Sequence, residues 1–394
     1  MHQATVIQPR LITLILLNGL AISSLNLFLP SLPGIAVEFE ASYALVNLSI
    51  AGYAAMTAIL QLVLGPLSDR FGRRPVILFG LLVFSLASLG CLLATNITSF
   101  LFFRMMQAAI ISAHTVSYAV IRDSSQERKA ASLMGYVAMA WAIAPMLAPV
   151  LGGTLDELFG WRASFWAFLL LGTAIFGLCL FDLHETNIHP SKTLHEQFQS
   201  YPELLRSRRF WGYALCMAFS TGAFYAFLGG APLVASTLFD MSPARLGLYM
   251  GSITAGFIFG SFLAGRYAAR YPLTTMMISG RVVACAGLLT GFVVVLMGHL
   301  NEFTLFGACI FVGIGNGITM PSSSSGALSV RPKLAGSASG LSGALVVAGG
   351  AAVSAITGSV LTDGSATYGL LGTMLVSSAL GLGAALYVLY VDRH

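Results

Sequence analysis

The sequence predicts an all-α membrane protein of twelve transmembrane helices, arranged as two pseudo-symmetric halves of six. Three observations predict it. Of 394 residues, 57% are apolar and only 9% charged, against about 25% charged in a typical soluble domain. Apolar runs of membrane-crossing length recur between ionisable residues along the whole chain. One long polar segment, 183–209, divides these runs six and six. A mean hydropathy of +0.83 leaves too few charged groups to cover a water-facing surface. That demotes soluble enzymes, disordered scaffolds and nucleic-acid binders.

The expected spans are 11–31, 43–66, 75–95, 98–121, 130–154, 163–182, 210–237, 245–266, 273–298, 303–327, 335–361 and 366–390. The first run is too long for a cleavable leader, and no small-residue cleavage site follows it. The expected division is therefore 1–182, a linker at 183–209, and 210–394. The linker holds His184, His189 and His195, whose spacing suits no ligand pair on a helical face; a solvated connection is expected. The five cysteines stand singly in apolar runs and read as small packing residues. No metal and no cofactor are expected.

Charge orients the chain. Both termini and the even-numbered loops carry sixteen of the 20 Lys and Arg residues; odd-numbered loops carry Arg162 and Arg245. Cytoplasmic loops hold the excess of Lys and Arg, so both termini and the linker are expected in the cytoplasm. The net charge of +5 is then a topology signal, with no nucleic acid implied. Arg104 and Arg281 fall inside spans.

An internal repeat is visible. After span two the chain reads Gly65-Pro-Leu-Ser-Asp69-Arg70-Phe-Gly72-Arg73-Arg74-Pro75; after span eight it reads Gly265-Arg266-Tyr-Ala-Ala-Arg270. Arg70 and Arg266 stand half a chain apart, as do Arg74 and Arg270. On these residues the chain resembles the major facilitator superfamily over its whole length, and GPLSDRFGRRP is similar to that superfamily's signature loop. Residues 148–153, with Pro145 and Gly135 before them, resemble the span-five antiporter motif, with Ala at two of its Gly positions. Arg104 and Gln107 resemble the Arg-x-x-Gln motif of span four. Leu29-Pro30 with Pro33, Arg122-Asp123 and Gly160-Trp-Arg162 resemble the bicyclomycin/chloramphenicol-resistance branch of drug:proton antiporters.

The resemblance implies a secondary transporter in the plasma (inner) membrane, working by alternating access on a small molecule. It also implies a latch at Gly65, Asp69, Arg70, Gly72, Arg73 and Arg74 with Asp123 as partner. Physically, Asp69 suits the positive end of a neighbouring helix and Gly72 permits a positive φ; simple topology anchoring is the plainer reading of these charges. Pro145 and Pro149 remove two backbone donors from span five, and Gly152 and Gly153 offer a face for close packing.

Candidate cavity residues come from polar stripes. Arg104, Gln107, His114 and Tyr118 fall within about 80° of one helical face. Tyr53, Thr57 and Gln61 form a stripe in span two, Asn18 and Asn26 another in span one. Tyr225, Ser220 and Asn316 are their candidates in the second half. Arg104 either snorkels to the membrane edge or serves the cavity. One departure from the branch matters: Asn26 stands where an acid usually precedes the LeuPro pair, and no acid lies deep in any span. His114 is the strongly interior side chain able to titrate near neutral pH, or else a packing residue. Export of a small amphipathic compound is expected, with protons as an open second partner and a monomeric state. An importer or uniporter of a neutral or anionic metabolite is the alternative; a receptor or scaffold fits less well. No nucleophile–base pair supports an enzyme.

Overall fold

A computed structural model describes residues 9–124, 127–187, 201–268, 270–331, 334–361 and 366–393. Within them it leaves out the side chains of 127, 128, 130–132, 135, 138–142, 335 and 336. The middle of the linker, with His189, Lys192 and His195, and the surroundings of Gly135 therefore lie outside the described residues.

The described residues are almost entirely helical. The elements are α1 (Leu11–Asn26), α2 (Leu32–Glu38), α3 (Tyr43–Phe71), α4 (Arg73–Leu92), α5 (Ile97–Met106), α6 (Ile111–Ser124), α7 (Glu127–Phe159) and α8 (Arg162–Asp182). After the linker come α9 (Tyr201–Leu205), α10 (Arg208–Leu238), α11 (Pro243–Tyr267), α12 (Leu273–Leu296), α13 (Glu302–Ser329), α14 (Ala335–Val360) and α15 (Ala366–Arg393). Lipid offers no partner to a bare N–H or C=O, so helices, which satisfy both internally, are the form such apolar runs must take. Among the described residues ten helical stretches are long and apolar enough to cross a membrane; α5–α6 and α7 complete the twelve spans.

Two spans are interrupted. Span one breaks after Asn26, where Leu29–Ser31 form a 3-10 turn containing Pro30, and α2 then runs on to Glu38, beyond the expected end. Span four breaks at Gln107–Ile110, also 3-10. Helix starts follow side-chain capping: Ser42, Asn96, Ser207 and Ser242 each accept from a backbone N–H in the first turn, and Asn301 with Thr304 forms a reciprocal capping box. Many large apolar side chains face outward; Phe181, for example, is 85% exposed. In water such a surface would aggregate, whereas against acyl chains it costs nothing.

The linker is less solvated than expected where it is described. Residues 183–187 lie on the loop between α3 and α4. At its other end, Leu204 is buried, Arg331 pairs with Glu203, and Trp211 donates to the Leu205 carbonyl.

Candidate functional site: a cavity sealed at one end

The first and last six spans meet at the end opposite the arginine-rich loops. There α7 packs on α11 with backbone against backbone. A Cβ on Gly153 would overlap the Pro243 carbonyl, and one on Gly247 the Pro149 carbonyl. Gly152 sits in the same way on the Leu27 carbonyl of span one. Pro145 and Pro149 both lie inside α7 beside these contacts. Asn47 of α3 donates to the Ser354 carbonyl at 2.7 Å and occupies a notch formed by Gly229 and Gly358. Tyr43 donates to the Gly229 carbonyl at 2.7 Å, and Glu157 accepts from the Ala244 N–H at the start of α11. None of Tyr43, Asn47 or Glu157 was singled out from sequence, since each is an ordinary polar residue near a span end.

Towards the arginine-rich end a cavity of about 580 Å³ opens between the two sets of spans. Gln61, Asp69, His114, Tyr118 and Arg122 line it from the first six, Ser339 and Gly343 from span eleven, and Tyr201 from the linker helix. Gln61 and His114 thus stand where the stripes place them. His114 Nδ1 lies 3.0 Å from the Asn18 amide oxygen, and its ring meets Tyr118 edge-on.

Arg104 is elsewhere. It does not snorkel, and it does not line this cavity: its side chain is 0% exposed. The guanidinium lies between the rings of Phe28 and Tyr53, 4.2 and 4.3 Å from their centroids. It donates to the Gln107 amide oxygen and to the Ser24 carbonyl, both at 2.7 Å. Gln107 in turn donates to the Ser88 hydroxyl at 2.7 Å, and Ser24 bonds the Tyr53 hydroxyl. One arginine thereby ties spans one, two, three and four together. The expected single stripe from Arg104 to Tyr118 fails for a geometric reason. Four residues of 3-10 turn advance about 120° each instead of 100°, rotating α6 by roughly 80° relative to α5. Arg104 and Gln107 point into the wall, while His114 and Tyr118 reach the cavity.

The second half has its own hub, centred on Arg281, whose sequence signal is a charge inside an apolar run. Arg281 is also 0% exposed. It donates to the Asn316 amide oxygen at 2.6 Å and to the Thr319 hydroxyl at 3.1 Å. Asn316 donates to the Ser220 carbonyl at 3.0 Å, linking spans seven, nine and ten. Asn316 is therefore a structural partner of Arg281, and Tyr225 is buried against Gly350, across the interface from Tyr53. No carboxylate pairs with Arg104 or Arg281 among the described residues. Asn26 is buried, donates to the Ile22 carbonyl, and leaves its amide oxygen without a donor.

The signature loop forms a closed set of contacts. Gly72 has φ +101° and ends α3. Arg73 is the centre: it pairs with Asp69, with Asp123 at 3.1 Å, and donates to the Ser68 hydroxyl at 2.6 Å. Arg74 donates to the Leu180 carbonyl, and Arg70 is exposed over Phe71. Asp69 was expected at the positive end of a neighbouring helix. The acid found at such an end is Glu185, whose carboxylate accepts from the N–H groups of Arg73 and Arg74 at 2.9 and 3.1 Å. Gly72 leaves the room, because a Cβ there would run into the Glu185 carboxylate. Glu185 follows the last apolar run directly and carries no sequence cue beyond its charge.

Twelve spans, a cavity between two sets of six, and a seal at one end are the architecture of a membrane transporter. The description "Major Facilitator Superfamily" matches residues 14–355, and the chain belongs to that superfamily. It is 32% identical over 363 residues to the "Uncharacterized MFS-type transporter YdgK" of Bacillus subtilis, spanning 89% of each chain. It is 27% identical to the "Bicyclomycin resistance protein homolog" of Haemophilus influenzae over 90% of each. To "Multidrug resistance protein MdtL" of Shigella flexneri it is 29% identical over 81% of each. Among solved structures, a bacterial homolog of the human lysosomal transporter Spinster, inward-facing and occupied, superposes with TM-score 0.79 at 16% identity, covering 97% of this chain and 96% of that one. A D-xylose-proton symporter gives 0.76 at 16%, over 96% of each. The chain is a transporter and not an enzyme.

Proposed function

We propose that this chain is an exporter of the inner membrane, loading a small amphipathic compound from the cytoplasm and releasing it outside as two six-helix bodies, 1–182 and 210–394, rock about their interface. The observation that carries this reading is the asymmetry of the interface. Backbone contact seals the end with few arginines, and a cavity lies at the arginine-rich end, which the positive-inside rule assigns to the cytoplasm. The relatives named for bicyclomycin and multidrug resistance support export. The protein works as a monomer in this reading.

The substrate is neutral or anionic. Arg104 and Arg281 each keep a positive charge in a low-dielectric wall with carboxamides, not carboxylates, beside it. Their field disfavours a second cation in the space between them. Asn26, in place of an acid, favours transport driven by the substrate's own gradient; coupling through His114 is the second reading, supported by its place on the cavity wall. Accumulation in inverted vesicles tests direction, with neutral, anionic and permanently cationic competitors. Proteoliposomes with and without a pH gradient test coupling for wild type, His114→Gln and Asn26→Asp. Equilibrating uptake whose rate is independent of the pH gradient is expected in wild type, with Asn26→Asp introducing gradient-driven accumulation. Preferential transport of a permanent cation overturns the charge argument, and accumulation only in right-side-out vesicles overturns export.

A further inference from the structure

We propose that Arg266 and Arg270, between spans eight and nine, and the groove beside them form a binding site for an anionic phospholipid of the cytoplasmic leaflet. The internal repeat supplies the comparison. In the first half, Arg73 is matched by Asp69 and Asp123, and Glu185 sits on the start of α4. In the second half the repeat keeps the two outer arginines and drops both the acid and the arginine it pairs with: Arg266 and Arg270 correspond to Arg70 and Arg74, while Gly265 stands where Asp69 does and Ala269 where Arg73 does. Both Arg266 and Arg270 are exposed, and no carboxylate pairs with either among the described residues.

Beside them lies a groove of about 420 Å³. Leu263, Tyr267 and Tyr271 form one wall, Thr275 and Met276 of α12 the other, and Ile318 of α13 the floor. Phe259 and Phe262, 53% and 64% exposed, mark the lipid-facing side of α11. At 100° per residue Arg266 falls on that same side, two turns further on, as the helix reaches the headgroup level. Along the chain the apolar surface of α11 gives way to cations and rings in alternation, Arg266 and Tyr267 at the end of the helix and Arg270 and Tyr271 just past it. An acyl chain along the groove and a phosphate between the arginines match that order. A free phosphate would use the cations and leave the groove unexplained, so a lipid is the ligand assigned. Basic pockets between helices on the cytoplasmic face are suited to anionic headgroups, at about fivefold in binding per arginine.

The test is native mass spectrometry of the purified full chain in detergent with added phosphatidylglycerol or phosphatidylcholine. Wild type is expected to retain phosphatidylglycerol in preference. Arg266→Gln/Arg270→Gln should weaken retention by about thirtyfold. Arg206→Gln/Arg208→Gln, which removes two exposed cytoplasmic-side charges away from the groove, should not. Equal loss in the two double variants would reduce the effect to general electrostatics and overturn the site. So would equal retention of phosphatidylcholine, or displacement by soluble glycerol phosphate at matched concentration. Ser279→Trp, aimed at the groove without touching the charges, should also lower retention; unchanged retention removes the groove from the proposal and with it the lipid assignment. Thermal midpoints in lipid-free detergent check that each variant is folded.

Discussion

Arg104 and Arg281 hold their halves together by the same chemistry from different spans. Each guanidinium is enclosed, each spends its best-aligned donors on a carboxamide oxygen, and each carboxamide passes the link to another span. Lysine has no planar fork with which to bridge two acceptors. Arg104→Lys is therefore expected to lose the link to Ser24 or to Gln107, and the stacking on Phe28 and Tyr53. A destabilisation of about 1–3 kcal/mol is the scale for a buried charge-assisted hydrogen bond. Thermal unfolding in detergent measures it, and transport should fall with it. Arg281→Lys should behave alike; an unchanged midpoint in either would remove that arginine's role as a hub. Sequence alone flagged both residues, because a charge inside an apolar run is costly. It did not reveal their partners: Ser24, Phe28 and Ser88 come from other spans, and no periodicity within span four points to them.

At the scale of elements, interruption and close approach matter more than length. Most span limits were legible to within about five residues, since polar residues must lie near the membrane edge; span one, which continues through α2 to Glu38, was not. The 3-10 turn at Gln107–Ile110 was not, as it contains neither proline nor glycine; it redirects two residues of an otherwise regular stripe. The α7–α11 contact was half legible: Gly152 and Gly153 announced a packing face, but Gly247 and Gly251 on the partner carry no motif. With carbonyls against Cα atoms, a side chain has no place to go. Gly153→Leu or Gly247→Leu is expected to hold this end ajar. A cysteine placed at Ser354 should then react with a membrane-impermeant maleimide several times faster than in the parent. Four of the five native cysteines are buried, which keeps the background low. Equal labelling with and without the leucine would mean that the contact does not control access.

For the whole molecule, the signature loop bears on which conformation is populated. Among the described residues its partners lie within the first half and its own end of the linker: Asp69, Asp123, Leu180 and Glu185 meet Arg73 and Arg74. Across the cavity from Asp69 stand Ser339 and Gly340, near the start of α14, whose positive end is the target Asp69 would meet when this side closes. Asp69→Asn removes that attraction and should shift the population towards the conformation seen here. Spin labels on the arginine-rich ends of α3 and α14 should report longer distances than in wild type, with expression unchanged. Unaltered distances would sink the latch assignment. The composition made the six-plus-six pattern and the loop visible at once; which end is open depends on contacts between residues 87 to 307 positions apart, which no local pattern encodes.

The notch that receives Asn47 has a consequence for electrical insulation. A carrier that moves its cargo by opening one end at a time is, at every instant, one imperfect contact away from being a pore. At the closed end the fit is set by Gly229 and Gly358 around a single carboxamide, and by carbonyls resting on Cα atoms. A side chain at any of these glycines would push the two surfaces apart, and the parting would give ions a path. Substitutions that loosen the fit should register first as a background conductance in a planar bilayer, before any change in cargo selectivity.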